Sequence, residues 1–262
     1  MHRIFLPPSA TSRLFALRGR FRSLGHIDPL RAAHIIINLQ NAFLAPHQPL
    51  EIPTAREIVP NINRISKALR AEGGRVVHVQ NTADAGAAAN CSNYWSLSAA
   101  PRDRIAACFR PGNEAHALWP EIERDSRDLT LPKRHFSALP SASSSLHIAL
   151  RTFGIEMLII TGTPTNICCE STARDAMSLG YKVIFVDDAT ACLDDNEHNA
   201  ALGNMLVMSA DVMCTNEVLI LIAQCKSRPC PAAAPASAPH AIMGYQHAAS
   251  DIRPGQAGEA GK

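Results

Sequence analysis

Residues Gly162 to Ala191 read GTPTNICCESTARDAMSLGYKVIFVDDATA. An apolar run of β-forming residues, Met157 to Thr161, enters this stretch, and a second, Lys182 to Val186, leaves it. Between them lie a turn at Thr163-Pro164, a helix predicted over Asn166 to Leu179, and a closing Gly180. Strand, helix and strand in this order are the repeating unit of a parallel sheet. Cys168 falls in the first turn of the helix, with Thr165 as the expected cap. There a thiol meets unpaired backbone N–H groups and the positive end of the helix dipole, and both favour thiolate over thiol. The bland reading of Cys168 is a small buried core residue. Cys169 supports that reading, since two adjacent thiols cannot both face one pocket.

The alternation continues outward. Further strands are predicted over His34 to Asn38, Arg75 to Gln80, Asp128 to Leu131 (ending at Pro132-Lys133) and Val212 to Cys214. Thr54-Ala55-Arg56-Glu57 has the form of a capping box. Ile58, Ile62, Ile65 and Leu69 follow it at helical spacing, with Pro60 as a flaw and Gly73-Gly74 as the stop. Helices are also predicted over Leu146 to Phe153, Asp195 to Met208 and Asn216 to Cys225. The pattern predicts an α/β fold with a parallel sheet covered on both faces. No strand is followed by GxGxxG, and GxxxxGK[ST] is absent, so neither nucleotide-binding signature is present. In a parallel sheet, residues at the carboxyl ends of different strands meet in one crevice. Asn38, Lys133 and Cys168 all stand at such ends. The irregular stretch 81–127 is expected to form a lid or pocket wall, with Asn81, Thr82 and Trp95 as wall candidates.

Of the 262 residues 47% are hydrophobic, enough for a substantial core, and a net charge of +2 argues against strong attraction to nucleic acid or membrane surfaces. No apolar run approaches the roughly 20 residues that span a bilayer. The eight cysteines contain no CxxC pair and are read as reduced thiols in a cytoplasm. Residues 1–27 hold five arginines and no acidic residue; that composition fits a transit peptide, and a disordered basic extension is the expectation. The main domain is predicted over 28–225. Residues 226–262, rich in Pro, Ala and Gly, are expected to be a disordered tail.

Four pieces together resemble one family: INLQNAFLAP (37–46), LPKRHFSAL (131–139), the whole of 162–191, and DDNEHNAAL (194–202). Over about Asp28 to Gln224 the chain is similar to the isochorismatase-like cysteine hydrolases. The resemblance implies a three-layer α/β/α, Rossmann-like fold with a mainly parallel sheet of about six strands. It also implies a catalytic Asp–Lys–Cys triad, in which the thiolate attacks an amide carbonyl and the Asp carries the proton. Lys133 and Cys168 match two members. A dimer or tetramer and a small-molecule substrate are further implications.

The chain departs from the family at two positions. Asn38 stands where the family has its Asp, and an amide cannot act as general base; losing such a group costs about 10²- to 10⁴-fold in rate. The resemblance implies a cis peptide before position 164, and an oxyanion hole built from the N–H groups of 164 and 168. Pro164 has no N–H, and losing one such donor costs about 10²- to 10³-fold. Thr163 and Pro164 are nonetheless expected to line the substrate site. The zinc site of the family's nicotinamidase branch has no counterpart: residues 81–127 hold one histidine, His116, while His78 and His135 are scattered. No metal and no cofactor are expected.

The function expected is a cysteine-dependent hydrolase of a small amide or related C–N bond. The alternative is a degenerate member that binds small molecules or acts as a scaffold. Vinyl-ether hydrolysis is disfavoured, because it leans on the acid missing at position 38.

Overall fold

A computed structural model of the chain describes residues 1–83 and 97–227. Six strands form one sheet: β1 (Ala32–Ile37), β2 (Arg75–Asn81), β3 (Leu129–Lys133), β4 (Met157–Gly162), β5 (Lys182–Thr190) and β6 (Asp211–Met213). Their order is β3-β2-β1-β4-β5-β6, and every neighbouring pair is parallel. The strands are apolar on both sides, as a doubly covered sheet requires. Ala33, Ile35 and Ile37 of β1 join Leu158, Ile160, Val183 and Phe185 in one core. Ala32 and Ile36 join Ile159, Ile184 and Val186 in the other. Helix α1 (Pro8–Arg18), α4 (Leu146–Thr152), α5 (Glu170–Ser178) and α6 (Asp195–Asn204) contribute to the first core. The second is closed by α2 (Val59–Ala71) and α7 (Thr215–Ala223). Helix α3 (Ala99–Cys108) lies in the insertion between β2 and β3.

Three sequence expectations change. Pro60 is no flaw: the helix begins at Val59, so the proline sits in the first turn, where a missing N–H costs nothing. The capping box does not form, because Thr54 Oγ1 donates instead to the Cys192 carbonyl at 2.9 Å. The third change is the largest. Residues 1–27 are an ordered strap, not a disordered extension. Leu14 and Ile27 are buried. Arg18 pairs with Asp211 at 2.7 Å, and Arg22 makes three bonds to the Glu217 carboxylate at 2.6, 2.7 and 3.1 Å. Asp211 also accepts the backbone N–H groups of Ser23 and Leu24. The basic segment is acid-poor because its acidic partners belong to β6 and α7. The expected tail lies, from residue 228 on, outside the described residues.

β1 and β4 approach each other closely at Gly162. Gly162 has φ +113°, and a Cβ added there would stand 2.1 Å from the Ile37 carbonyl oxygen. Both facts exclude a side chain. Gly162→Ala is expected to cost about 3 kcal/mol, a fall in Tm of about 6–12 °C, measured by thermal unfolding.

Below β1 lies a buried polar group. His34 Nδ1 is 2.9 Å from Ser66 Oγ and Nε2 is 2.8 Å from Thr161 Oγ1. Burial, helped by the nearby His78 and Arg70, lowers the His34 pKa from its ordinary 6.5 to about 3. The folded protein keeps this ring neutral while the unfolded chain protonates it, so its contribution is complete above pH 6.5 and declines as pH falls toward 3. Unfolding free energies measured in urea from pH 7.5 to 4.5 should decline with acid. His34→Gln should make that decline shallower by up to about 1.4 kcal/mol per pH unit.

Candidate active site

The order β3-β2-β1-β4-β5-β6 reverses direction between β1 and β4, and ligand crevices form at such a switch, outside the carboxyl ends of the strands. Asn38 follows β1 there, and Thr163-Pro164 follows β4. Asn38 has φ +56°, a conformation that asparagine tolerates better than most residues. Its backbone N–H donates to the Val79 carbonyl and its carbonyl accepts from the Gln40 N–H. Its side-chain Nδ2 donates to the Thr163 carbonyl at 2.9 Å. That bond fixes which end of the amide is nitrogen, because the carbonyl can only accept. Oδ1 is buried and has no hydrogen-bond partner among the described residues.

The Thr163–Pro164 peptide is cis. Thr163, expected to face substrate, has all its polar groups engaged. Its N–H donates to the Ile37 carbonyl, its carbonyl accepts from Asn38, and Oγ1 donates to the Ala191 carbonyl at 2.9 Å. These bonds make it a brace for the turn. The helix expected from Asn166 begins instead as a π-turn, Thr165–Cys169, and becomes α-helical at Glu170. In the turn, the Cys169 N–H reaches the Pro164 carbonyl at 3.1 Å. Turns of this kind are common at functional sites. Thr165 does not cap the helix; its Oγ1 bonds His198 Nδ1 at 2.9 Å.

Cys168 and Lys133 do meet. Lys133 Nζ lies 3.4 Å from Cys168 Sγ and donates to the His135 carbonyl at 2.9 Å. The lysine has no exposed surface and Cys168 only 4%. Among the described residues Lys133 forms no ion pair with a carboxylate. Glu170, the acid nearest Cys168 in sequence, bonds Arg174 at 2.7 Å. The adjacent thiols differ in character: burial and the neighbouring Cys168 push the Cys169 thiol well above its ordinary range. Cys169 therefore stays protonated and packs in the core.

On the other side of β1, Gln40 is a residue that pattern reading missed. Fully buried, it donates to the carbonyls of Asn81 and His116 and accepts the Asn81 N–H at 2.7 Å. Its signal was its place two residues after Asn38 in NLQ, pointing back toward the sheet edge. Asn81 pairs in register with Lys133, and the Thr82 N–H donates to the Lys133 carbonyl at 2.9 Å. Thr82 Oγ1 is 3.0 Å from His116 Nε2. Thus Asn81 and Thr82 flank the lysine, while Trp95 lies outside the described residues.

His2, Cys192 and His198 form a second cluster, with donor atoms within 4.8 Å of one another. The two rings stack, with centroids 4.2 Å apart and planes inclined by 17°. An ion about 2.0 Å from a nitrogen of each ring would have to lie in both ring planes. Stacking keeps those planes apart, so the cluster is not arranged for a metal. His78 is committed to Asp128 at 3.2 Å.

A doubly wound parallel sheet with a buried thiol–ammonium pair at its switch point defines the class of protein. The sequence of residues 32–217 matches the isochorismatase domain model, and the chain belongs to the isochorismatase family. It is 31% identical over 176 residues to ureidoacrylate amidohydrolase RutB of Serratia proteamaculans, an alignment covering 62% of this chain and 70% of that protein. Its fold is similar to that of a cysteine hydrolase from Pseudomonas syringae pv. phaseolicola (TM-score 0.69, 23% identity, 78% of this chain and 99% of that one). It is also similar to N-carbamoylsarcosine amidase from Thermoplasma acidophilum (TM-score 0.58, 22% identity, 71% and 97% covered).

Lys133→Met keeps the side-chain volume and removes the charge. Iodoacetamide labelling of Cys168 at pH 7, followed by peptide mass mapping, should slow by about tenfold or more. The melting temperature should hold or rise, because a buried charge is costly.

Proposed function

We propose that the protein is a cysteine-dependent hydrolase of a small-molecule amide or related C–N bond, acting through a thioester on Cys168. The observation that carries this reading is the fully buried Lys133 ammonium, 3.4 Å from the Cys168 sulfur and unpaired with any carboxylate among the described residues. A buried ammonium calls for a compensating anion, and in this proposal the sulfur of Cys168 serves as that anion. A sulfur already ionised needs no base to attack a carbonyl carbon. The oxyanion of the tetrahedral adduct would face Lys133 and the Cys168 N–H, since Pro164 has none to give.

Asn38 changes how the proton moves. As the tetrahedral adduct collapses, Lys133 passes a proton to the departing amine nitrogen while the C–N bond breaks, which leaves a neutral lysine beside the thioester. Neutral Lys133 can then take a proton from the water that cleaves the thioester, which restores the ammonium–thiolate pair. Atoms and charge balance without the missing carboxylate. The unpartnered Asn38 Oδ1 is left to accept an N–H of the substrate. The proposal includes a dimer or tetramer, as the family resemblance implies, and a cytoplasmic setting for cysteines that are unpaired throughout the described residues. No helix among those residues is long and apolar enough to cross a membrane.

A binding or scaffold role without turnover is the second reading. It is favoured by the Asn38 amide having a structural job, the bond to the Thr163 carbonyl. A chloroacetamide probe at neutral pH should label Cys168 stoichiometrically in the folded protein; absence of label would overturn the hydrolase reading. In Asn38→Asp, one carboxyl oxygen would face the Thr163 carbonyl. That contact favours the protonated acid, the form that helps an amine leave. Turnover across an amide panel should rise by about 10²-fold. No turnover by either form would support the binding reading.

A further inference from the structure

The mechanism leaves unused a histidine pair that begins with the second residue of the chain. His2 is 2% exposed at its side chain. Nδ1 lies 2.8 Å from Asp195 Oδ1, and Nε2 accepts the Cys192 N–H at 3.1 Å. The ring stacks on His198. On either side, the Met1 amino group pairs with Glu57, while the Arg3 carbonyl and Phe5 N–H hold the side chain of Asn199. The family match covers residues 32–217, so this strap lies outside the matched residues.

Two of the three partners of His2, His198 and Cys192, lead to the turn that carries Cys168. His198 Nδ1 bonds Thr165 Oγ1, at the start of the π-turn, and its Nε2 lies 3.1 Å from the Asp187 carbonyl. Cys192 follows Ala191, whose carbonyl accepts both Thr163 Oγ1–H and the Thr165 N–H. Residue 2 thus reaches the catalytic turn by two routes, one through a side chain and one through the backbone. A neutral His198 suits this packing: burial, together with His2, lowers its pKa to about 4.

We infer that His2 is a positioning residue, holding the Thr163–Cys169 turn through His198 and Cys192 so that the Cys168 sulfur stays aligned with Lys133. The inference rests on the hydrolase reading only in taking Cys168 as the reactive group. It makes the reactive thiol depend on a segment that lies outside the residues matched to the family. The later part of the strap is anchored elsewhere. Arg18 holds Asp211, the first residue of β6, which pairs in register with Ile184, away from Thr190 at the carboxyl end of β5.

The test compares the full-length wild type, His2→Ala, His2→Gln and Arg18→Ala. Two quantities are read: the pH profile of Cys168 alkylation by iodoacetamide, and amide hydrogen exchange of the peptide spanning 163–169. His2→Ala should move the alkylation midpoint to higher pH by about one unit and speed exchange of the turn about tenfold. His2→Gln, which keeps an acceptor for the Cys192 N–H, should recover part of both effects. Arg18→Ala, which loosens the strap far from the turn, should change neither. The inference is overturned if His2→Ala leaves both readings in place, or if Arg18→Ala reproduces them. If wild-type Cys168 fails to alkylate, the hydrolase reading falls and the exchange data alone decide the role of His2.

Discussion

The close approach of β1 and β4 at Gly162 governs the crevice. With no Cβ in the way, the Ile37 carbonyl lies against the glycine, at 2.1 Å from where that atom would be. The chain ends of both strands are thereby held together. Asn38 can reach the Thr163 carbonyl across the gap, at 2.9 Å, only because the two backbones are this near. The Thr163 N–H closes the same gap by bonding the Ile37 carbonyl at 3.0 Å. The turn leaving β4 is then directed over the sheet edge, where the neighbouring strands bring Lys133. A larger residue at 162 would separate the turn that carries Cys168 from Asn38 and Lys133.

Within that frame the electrostatics are sparse. The family resemblance implies a carboxylate, an ammonium and a thiol; this chain has an amide in place of the first. One buried positive charge and one ionisable sulfur remain, and their mutual dependence sets the chemistry available. Replacing a carboxylate with an amide removes a proton carrier but also removes the thiolate's competitor for the lysine. The same substitution suits the local geometry, since the amide nitrogen donates where a carboxylate oxygen would meet another acceptor.

Much of this was legible in the sequence because apolar runs and turn residues act locally. The six strands and their parallel arrangement follow from patterns within a few residues of each position, whereas the pairing of Cys168 with Lys133, 35 positions apart, was expected from their shared place at strand ends and from the family resemblance. Other features were hidden because their partners are remote. Thr165 looked like a helix cap, yet its hydroxyl is taken by His198, which lies 33 positions away. Thr163 looked like a pocket residue, yet its hydroxyl is spent on Ala191. The strap was misread for the same reason. Its arginines have no acid in their own segment, and composition cannot reveal that Asp211 and Glu217 are waiting at the far end of the domain.

That arrangement imposes an order of assembly. The Arg18–Asp211 contact joins residues 193 positions apart, and His2–Asp195 spans the same interval. Chain emerging from a ribosome presents its amino end first, and domains build as their parts appear. The strap is made before most of its partners. Arg18 and Arg22 can dock only once β6 and α7 have followed, and His2 can settle beside the turn that carries Cys168 only once Cys192 and Asp195 have been made.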